Sequence, residues 1–310
     1  MGKATREAYG NALARIGKEN TDIIVLDADL SKSTKTDTFK AVCPERFFNV
    51  GIAEQNLISV GAGLAAAGKI SFVSSFSMFA TGRAFEQIRN AVCYPKLNVK
   101  VCATHAGITV GEDGATHQSL EDISCMRTLP NMTVVVPADE RETEAVIEWA
   151  ASYNGPVYVR LGRAGVDDVT TEGYSFVPGK STILVDGSDA TIIACGALVG
   201  PAVEASKTLS ESNISARVIN MASIKPIDAE AIIKAAAETG AIVTAEEHNI
   251  IGGLGSAVSE VVVSNKPVPM EFVGVQDTFG ESGTPKELMA KYGLTANDIV
   301  EAVKRVIARK

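Results

Sequence analysis

The sequence has little of what several protein classes require. Its five cysteines, Cys43, Cys93, Cys102, Cys125 and Cys195, are odd in number and include no CxxC pair. That excludes a disulfide framework and a cysteine zinc site, and points to buried thiols in a reducing compartment. No apolar run approaches the roughly 18 residues of a membrane span. The opening MGKATREAYGNAL has no apolar signal core and, with Arg6, misses the myristoylation pattern. A cytoplasmic protein is expected. There is no basic excess: the formal net charge is −8, with acids and bases interspersed. Such a balance argues against a broad nucleic-acid or anionic-membrane surface, while leaving room for a small anion held by a few arginines. Aromatic residues are scarce, at 5%. Alanine, valine and isoleucine dominate instead, within a hydrophobic content of 46%, and suit parallel sheets covered by helices.

A chain of 310 residues is long enough for two domains with separate cores. Helix Thr5–Lys18 opens on a capping threonine. Strand Ile23–Leu30 turns acidic at its end, and the short strand Phe47–Val50 leads through GIAEQN into a helix to about Ala67. Strand Ile70–Phe76, helix Ala80–Val92, strand Val99–Ala103, strand Thr133–Val136, helix Asp139–Tyr153 and strand Pro156–Leu161 follow. Periodicity lapses over 162–180, then resumes with strands Ala190–Cys195, Ala216–Asn220, Ala241–Glu246 and Met270–Val275 separated by helices. The alternation predicts an α/β protein of two doubly wound domains, a mainly parallel sheet followed by a smaller α/β unit. The expected division is 1–165, a linker at 166–183, and 184–310.

Two of the three histidines, His105 and His117, bracket one glycine-rich, acidic segment, CATHAGITVGEDGATHQ (Cys102–Gln118). Following an apolar run, it reads as an ordered loop at a strand end, where α/β proteins place their chemistry. Glu54 stands where a strand gives way to a helix; it either favours the helix dipole or serves as a partly buried acid that holds a proton. Arg160, Arg163 and Arg6 each read as a solvated charge when taken singly. With Ser33 and the histidines they could form an anion pocket, because guanidinium matches phosphate bidentately. Asp27 and Asp29 share one side of a strand by its period of two, which suits a metal or, more commonly, a polar network. IIGGLGSAV resembles a phosphate-cradling turn but lacks the full G-x-G-x-x-G, so close packing is the stronger expectation; His248 beside it has a weak claim.

Six strings in this order, LDADLSKS, GIAEQN, SFSMFATGRAFEQIRN, THAGITVGEDGATHQSLED, LPNMTVVVPAD and EEHNIIGGLGSAV, resemble the C-terminal half of transketolases. The resemblance spans nearly the whole chain. It implies a pyrimidine-binding domain followed by the transketolase C-terminal domain. It also implies thiamine diphosphate as cofactor and transfer of a two-carbon ketol unit from a ketose phosphate to an aldose phosphate. Glu54 matches the glutamate that hydrogen-bonds the aminopyrimidine and so activates the cofactor. Phe76 and Phe79 match aromatic positions around that ring, a third such position falls at Val73, and Asp29 matches a carboxylate supporting the cofactor site. His105, Arg6, Ser33 and Arg163 match substrate-phosphate ligands, Asp113 the acid that recognises the sugar C2 hydroxyl, and His117 a group beside the donor C1 hydroxyl and carbonyl. Arg160 receives no role.

The family's Gly-Asp-Gly…Asn motif, which binds the cofactor diphosphate and a divalent metal such as Mg2+, is absent here. The resemblance therefore implies one subunit of a split transketolase, inactive without an N-terminal partner carrying that motif, in an α2β2 heterotetramer. Related alternatives are 1-deoxyxylulose-5-phosphate synthase and the 2-oxoacid dehydrogenase beta subunit. THAG, where the synthase has a DRAG-like string, favours transketolase. A non-enzymatic nucleotide-binding or scaffolding module is the alternative from another class.

Overall fold

The computed structural model describes residues 2–310. Runs of β-branched residues set its strands, numbered in chain order. Ile23–Asp27 (β1), Phe47–Asn49 (β2), Ile70–Ser74 (β3), Val99–Ala103 (β4), Thr133–Val135 (β5) and Val157–Arg160 (β6) form one parallel sheet, in the order β5-β6-β4-β3-β1-β2. Thr182–Val185 (β7), Ala190–Ala194 (β8), Ala216–Asn220 (β9), Ser223–Lys225 (β10), Ile242–Asn249 (β11) and Met270–Val275 (β12) follow. Of these, β12-β11-β8-β9-β7 make a second sheet, parallel except for β7, which runs antiparallel to β9. The fold is thus two mostly parallel α/β sheets, as the alternation predicts.

Two strands escape sequence reasoning. β7 lies just beyond the stretch where periodicity lapses. β10 leaves the second sheet's neighbourhood and pairs antiparallel with β5, extending the first sheet to seven strands. Three residues carry too little period to announce a strand. Burial holds β10 there: Ile224 is 2% exposed in a core cluster shared with Leu26, Val73 and Val134 of the first sheet and Ile193 and Ile242 of the second. A fully buried isoleucine contributes roughly 1.5–3 kcal/mol, enough to fix so short a segment.

Local expectations are corrected at three places. Helix Thr5–Glu19 has no side-chain cap; the Thr5 hydroxyl instead accepts from the Gly162 N–H at 2.8 Å, tying the helix to the chain after β6. The segment read as helix Ala80–Val92 winds with widened π-type turns at Phe79–Arg83 and Ile88–Cys93, a form that recurs at functional sites. Val73 is buried at 1%, its side chain packed beside Gly61, and so belongs to the core and not to a pocket wall.

Candidate active site

Five candidates of the first domain sit just past the C-terminal end of a parallel strand. Asp29 follows β1, Glu54 follows β2, Phe76 follows β3, His105 follows β4 and Arg163 follows β6. Parallel strands expose unpaired backbone there and helices begin there, so this edge is where α/β sheets bind ligands.

Asn49 laces two of these ends together. Its amide oxygen accepts from the N–H of Asp29 and of Gly51, both at 3.0 Å, and its amide nitrogen donates to Asp29 Oδ1 at 3.0 Å. Asp29 has φ of 64°, so the chain has left the strand, and Asp27 and Asp29 do not share a side. Asp27 points inward, accepting from Leu30 N–H (2.6 Å), Thr34 Oγ1 (2.7 Å) and Thr36 Oγ1 (2.9 Å), while Asp29 is exposed. Burial pushes the Asp27 carboxyl up despite those donors. Asp27 is a polar knot, and no group of three or more His, Cys, Asp or Glu among the described residues could hold a metal ion.

Glu54 opens helix Glu54–Ala66 and is 6% exposed. Its Oε1 accepts from Arg83 Nη1 at 3.0 Å. The Arg83 guanidinium also lies over the Phe79 ring, 4.2 Å from its centroid. Ala28, Asp29, Glu54, Phe79, Arg83 and His117 line a cavity of about 330 Å³. Phe76 stacks offset on Phe79 (5.9 Å) and face to face with His105 (3.8 Å), and His117 meets Phe79 edge-on at 5.2 Å. The aromatic pair therefore connects the carboxylate to both loop histidines.

Arg6 Nη1 donates to the Ser33 carbonyl at 3.0 Å and lies 3.3 Å from His105 Nε2. Arginine can only donate, so Nε2 is the acceptor, and Nδ1 carries the proton and donates to Thr104 Oγ1 at 2.9 Å. Burial first, then Arg6 and Arg163, push the His105 imidazole down to about 3. Unfolded His105 protonates near pH 6.5, whereas the folded ring stays neutral, so its environment costs stability only as pH falls from 6.5 towards 3. A ring-proton NMR titration should leave His105 flat between pH 5 and 8; a midpoint near 6.5 would contradict this environment. Arg163 Nη1 bonds the Val110 carbonyl (2.6 Å) and Glu112 (2.7 Å). Arg6, His105 and Arg163 thus converge, with the buried Arg6 Nε lacking a partner. Asp113 is exposed, and no hydrogen bond or ion pair joins it to the others.

The loop between the histidines is held from below by residues that sequence reasoning passed over. Glu247, on β11 of the second sheet, accepts from the Thr109 N–H at 2.6 Å. It packs where Gly107, with φ of 85°, leaves no room for a Cβ: one would stand 2.3 Å from the Glu247 carboxyl. Gln118 Nε2 donates to the carbonyls of Ile108 (3.2 Å), Gly111 (3.3 Å) and Glu281 (2.9 Å). Glu247→Ala leaves a buried N–H unpaired, an expected loss of roughly 1–3 kcal/mol in chemical denaturation. Glu247→Gln retains an acceptor and should lose less; equal losses would remove the hydrogen bond from consideration.

Arg160 is not a surface charge. It is 5% exposed, with Nε donating to Asp122 Oδ2 at 2.7 Å and Nη2 to the Glu247 carbonyl at 2.8 Å. Burial raises the Asp122 carboxyl, but Arg160, His248 and the Tyr158 hydroxyl outweigh it and hold it below the usual range. The GGLG turn is likewise closed to outside anions. Glu246 fills it, accepting from the N–H groups of Leu254 (2.7 Å) and Gly255 (2.8 Å). His248 is buried against the Asn249 carbonyl and the Ser124 N–H and takes no part in the cleft.

A doubly wound sheet with a buried carboxylate, an aromatic face and a cationic cluster along its C-terminal edge defines an α/β protein with a ligand-binding cleft. Residues 1–167 match the model of the transketolase pyrimidine binding domain and residues 179–299 that of the transketolase C-terminal domain. A putative transketolase C-terminal section of Methanocaldococcus jannaschii is 52% identical over 304 residues, 97% of this chain and 95% of that one. A 6-deoxy-6-sulfo-D-fructose transketolase subunit of a Clostridium species is 43% identical, over 98% of this chain and 95% of that one. A solved structure described as a split gene transketolase, inactive beta4 tetramer, is 57% identical with a TM-score of 0.94, covering 100% of both chains. The chain belongs to the transketolase family and is a split transketolase-type enzyme subunit.

The family depends on thiamine diphosphate. The cleft fits the pyrimidine end of that cofactor: the Glu54 carboxylate is buried yet reaches a cavity, and Phe79 offers it a ring face.

Proposed function

We propose that this chain is the pyrimidine-binding half of a two-chain transketolase that moves a two-carbon ketol unit from a ketose phosphate to an aldose phosphate. One observation carries the proposal: the buried Glu54 beside an aromatic face and the Arg6–His105–Arg163 cluster share one strand-end edge. Thiamine diphosphate, when bound, supplies the carbon nucleophile and electron sink that no side chain of this chain provides. Glu54 holds a proton against a pyrimidine nitrogen in a site shielded from water, where one hydrogen bond is strong. Phe76 and Phe79 pack the ring, and Asp29, fixed by Asn49, supports the cleft rim.

Arg6, Ser33, His105 and Arg163 take the substrate phosphate. A neutral His105 donates to phosphate through Nε2 only after a tautomer change; as it stands, that nitrogen orients Arg6. The Arg163–Glu112 pair is exposed, and such pairs are worth little, so a phosphate displaces Glu112 readily. His117 stands over the reacting end of the sugar, and Asp113 reads the C2 hydroxyl. The partner is an N-terminal subunit whose Gly-Asp-Gly…Asn motif holds the diphosphate and Mg2+, in a cytoplasmic α2β2 heterotetramer with domains divided at 1–165 and 184–310. Support comes from relatives that are C-terminal sections or subunits.

Mixing this chain with such a partner, thiamine diphosphate and Mg2+ should give ketol transfer between sugar phosphates; a mixture that binds cofactor but transfers no ketol unit sinks the proposal. Arg163→Ala in the mixture should raise KM about tenfold or more for phosphorylated substrates and leave unphosphorylated analogues nearly unaffected, as expected for a lost charged hydrogen bond. Equal effects on both would remove Arg163 from the phosphate site.

A further inference from the structure

Arg83 makes two contacts at once. Its Nη1 donates to Glu54 Oε1 at 3.0 Å, and its guanidinium carbon sits 4.2 Å from the Phe79 ring centroid. Cavities of about 330 Å³ and 480 Å³ both take part of their walls from this pair, so Arg83 stands in the middle of the cleft. Yet 54% of its side chain is exposed, and the one further side-chain hydrogen bond given for Arg83 among the described residues, from Gln55, goes to its backbone carbonyl and not to the guanidinium. The guanidinium is therefore anchored by Glu54 and Phe79 alone.

A guanidinium is a flat cation with N–H donors along its edge. A carboxylate beside an aromatic face suits any flat group of that kind, and an aminopyrimidine that hydrogen-bonds Glu54 and stacks on Phe79 needs the same two surfaces. We propose that Arg83 is an internal stand-in for the cofactor ring. It holds the Glu54 carboxylate and the Phe79 face, and it must swing out when thiamine diphosphate enters. This rests on the assignment of Glu54 and Phe79 to the pyrimidine site made above. It gives Arg83 two effects. Arg83 keeps a buried carboxylate paired in the empty subunit, where an unpaired charge is costly. It also weakens cofactor binding by the free energy of the contacts that must first break.

The test is thiamine diphosphate affinity of the chain assembled with its diphosphate-binding partner, by equilibrium dialysis, for wild type, Arg83→Met and Arg83→Lys. Arg83→Met removes the planar cation, and the expected result is about tenfold tighter binding, from the loss of one cation–π contact and one charged hydrogen bond. Arg83→Lys keeps the charge without the plane and should fall between. The empty Arg83→Met chain should melt lower than wild type, because Glu54 loses its partner. Binding of either variant that equals or is weaker than wild type overturns the stand-in role, since it would mean that Arg83 helps to hold the cofactor or does not touch its seat. Turnover of Glu54→Gln separates the two levels. A dead Glu54→Gln with no tightening in Arg83→Met defeats the Arg83 proposal alone, whereas an active Glu54→Gln defeats the pyrimidine-site assignment beneath it.

Discussion

Glu54→Gln in the assembled enzyme is expected to lose about 10²–10⁴-fold in turnover, the usual worth of a positioned proton-transfer group. Glutamine matches glutamate in size, and its amide oxygen can still receive Arg83, so helix Glu54–Ala66 and the cavity should keep their shape. The change removes only the ability to hold a proton against a pyrimidine nitrogen. The side chain is 6% exposed, so its carboxyl meets little solvent outside the cleft. Melting temperature should therefore stay close to wild type while activity collapses. Near-normal turnover would show that the proton at this position comes from elsewhere and would remove the central residue of the site.

Asp122→Ala should cost about 3–5 kcal/mol of folding stability, a large share of the 5–15 kcal/mol typical of a native protein. Asp122 and Arg160 are 0% and 5% exposed, and the alanine leaves a buried guanidinium without its counter-ion. It also strips the acceptor from the Tyr158 hydroxyl, which donates to Asp122 Oδ2 at 2.6 Å and meets Ser77 at 2.8 Å. Arg160 reaches on to the Glu247 carbonyl, so the damage should spread to the loop carrying His105 and His117. Because Asp122 is held below the ordinary carboxylate range, its contribution is full above that range and is lost as pH falls from it through the lower value of the folded state. A denaturation midpoint within experimental scatter of wild type would contradict a buried, uncompensated charge.

The parts of this molecule that were legible from sequence are those with long periods or distinctive residue types. β4, β9 and β12 follow their apolar runs, and the pair His105 and His117 announced the loop that the structure places against Phe76 and Phe79. Glu54 is ambiguous by position alone, since an acid at a helix start commonly serves the dipole, and it is the match of GIAEQN to transketolases that singles it out. What stayed hidden depends on contacts between residues far apart in the chain. Nothing near Arg160 in sequence signals Asp122 or Glu247, so a lone arginine at a strand end looked like a solvated charge. The Asp27–Asp29 pair looked one-sided because a period of two was extended to Asp29, where the backbone in fact turns. GGLG reads as a close-packed turn sooner than an anion cradle, but what packs into it, the Glu246 carboxylate from the preceding strand, is not visible in the motif. Asn49 and Gln118 have unremarkable local patterns, and their value lies in bridging two strand ends and two sheets.

The most direct measurement compares bound thiamine diphosphate and ketol-transfer turnover for three samples: this chain alone, a Gly-Asp-Gly…Asn partner chain alone, and the two mixed in equal amounts. The half-site arrangement requires negligible turnover from either chain alone and one bound cofactor per chain pair, with turnover, in the mixture. Full turnover and stoichiometric cofactor in this chain alone would contradict it.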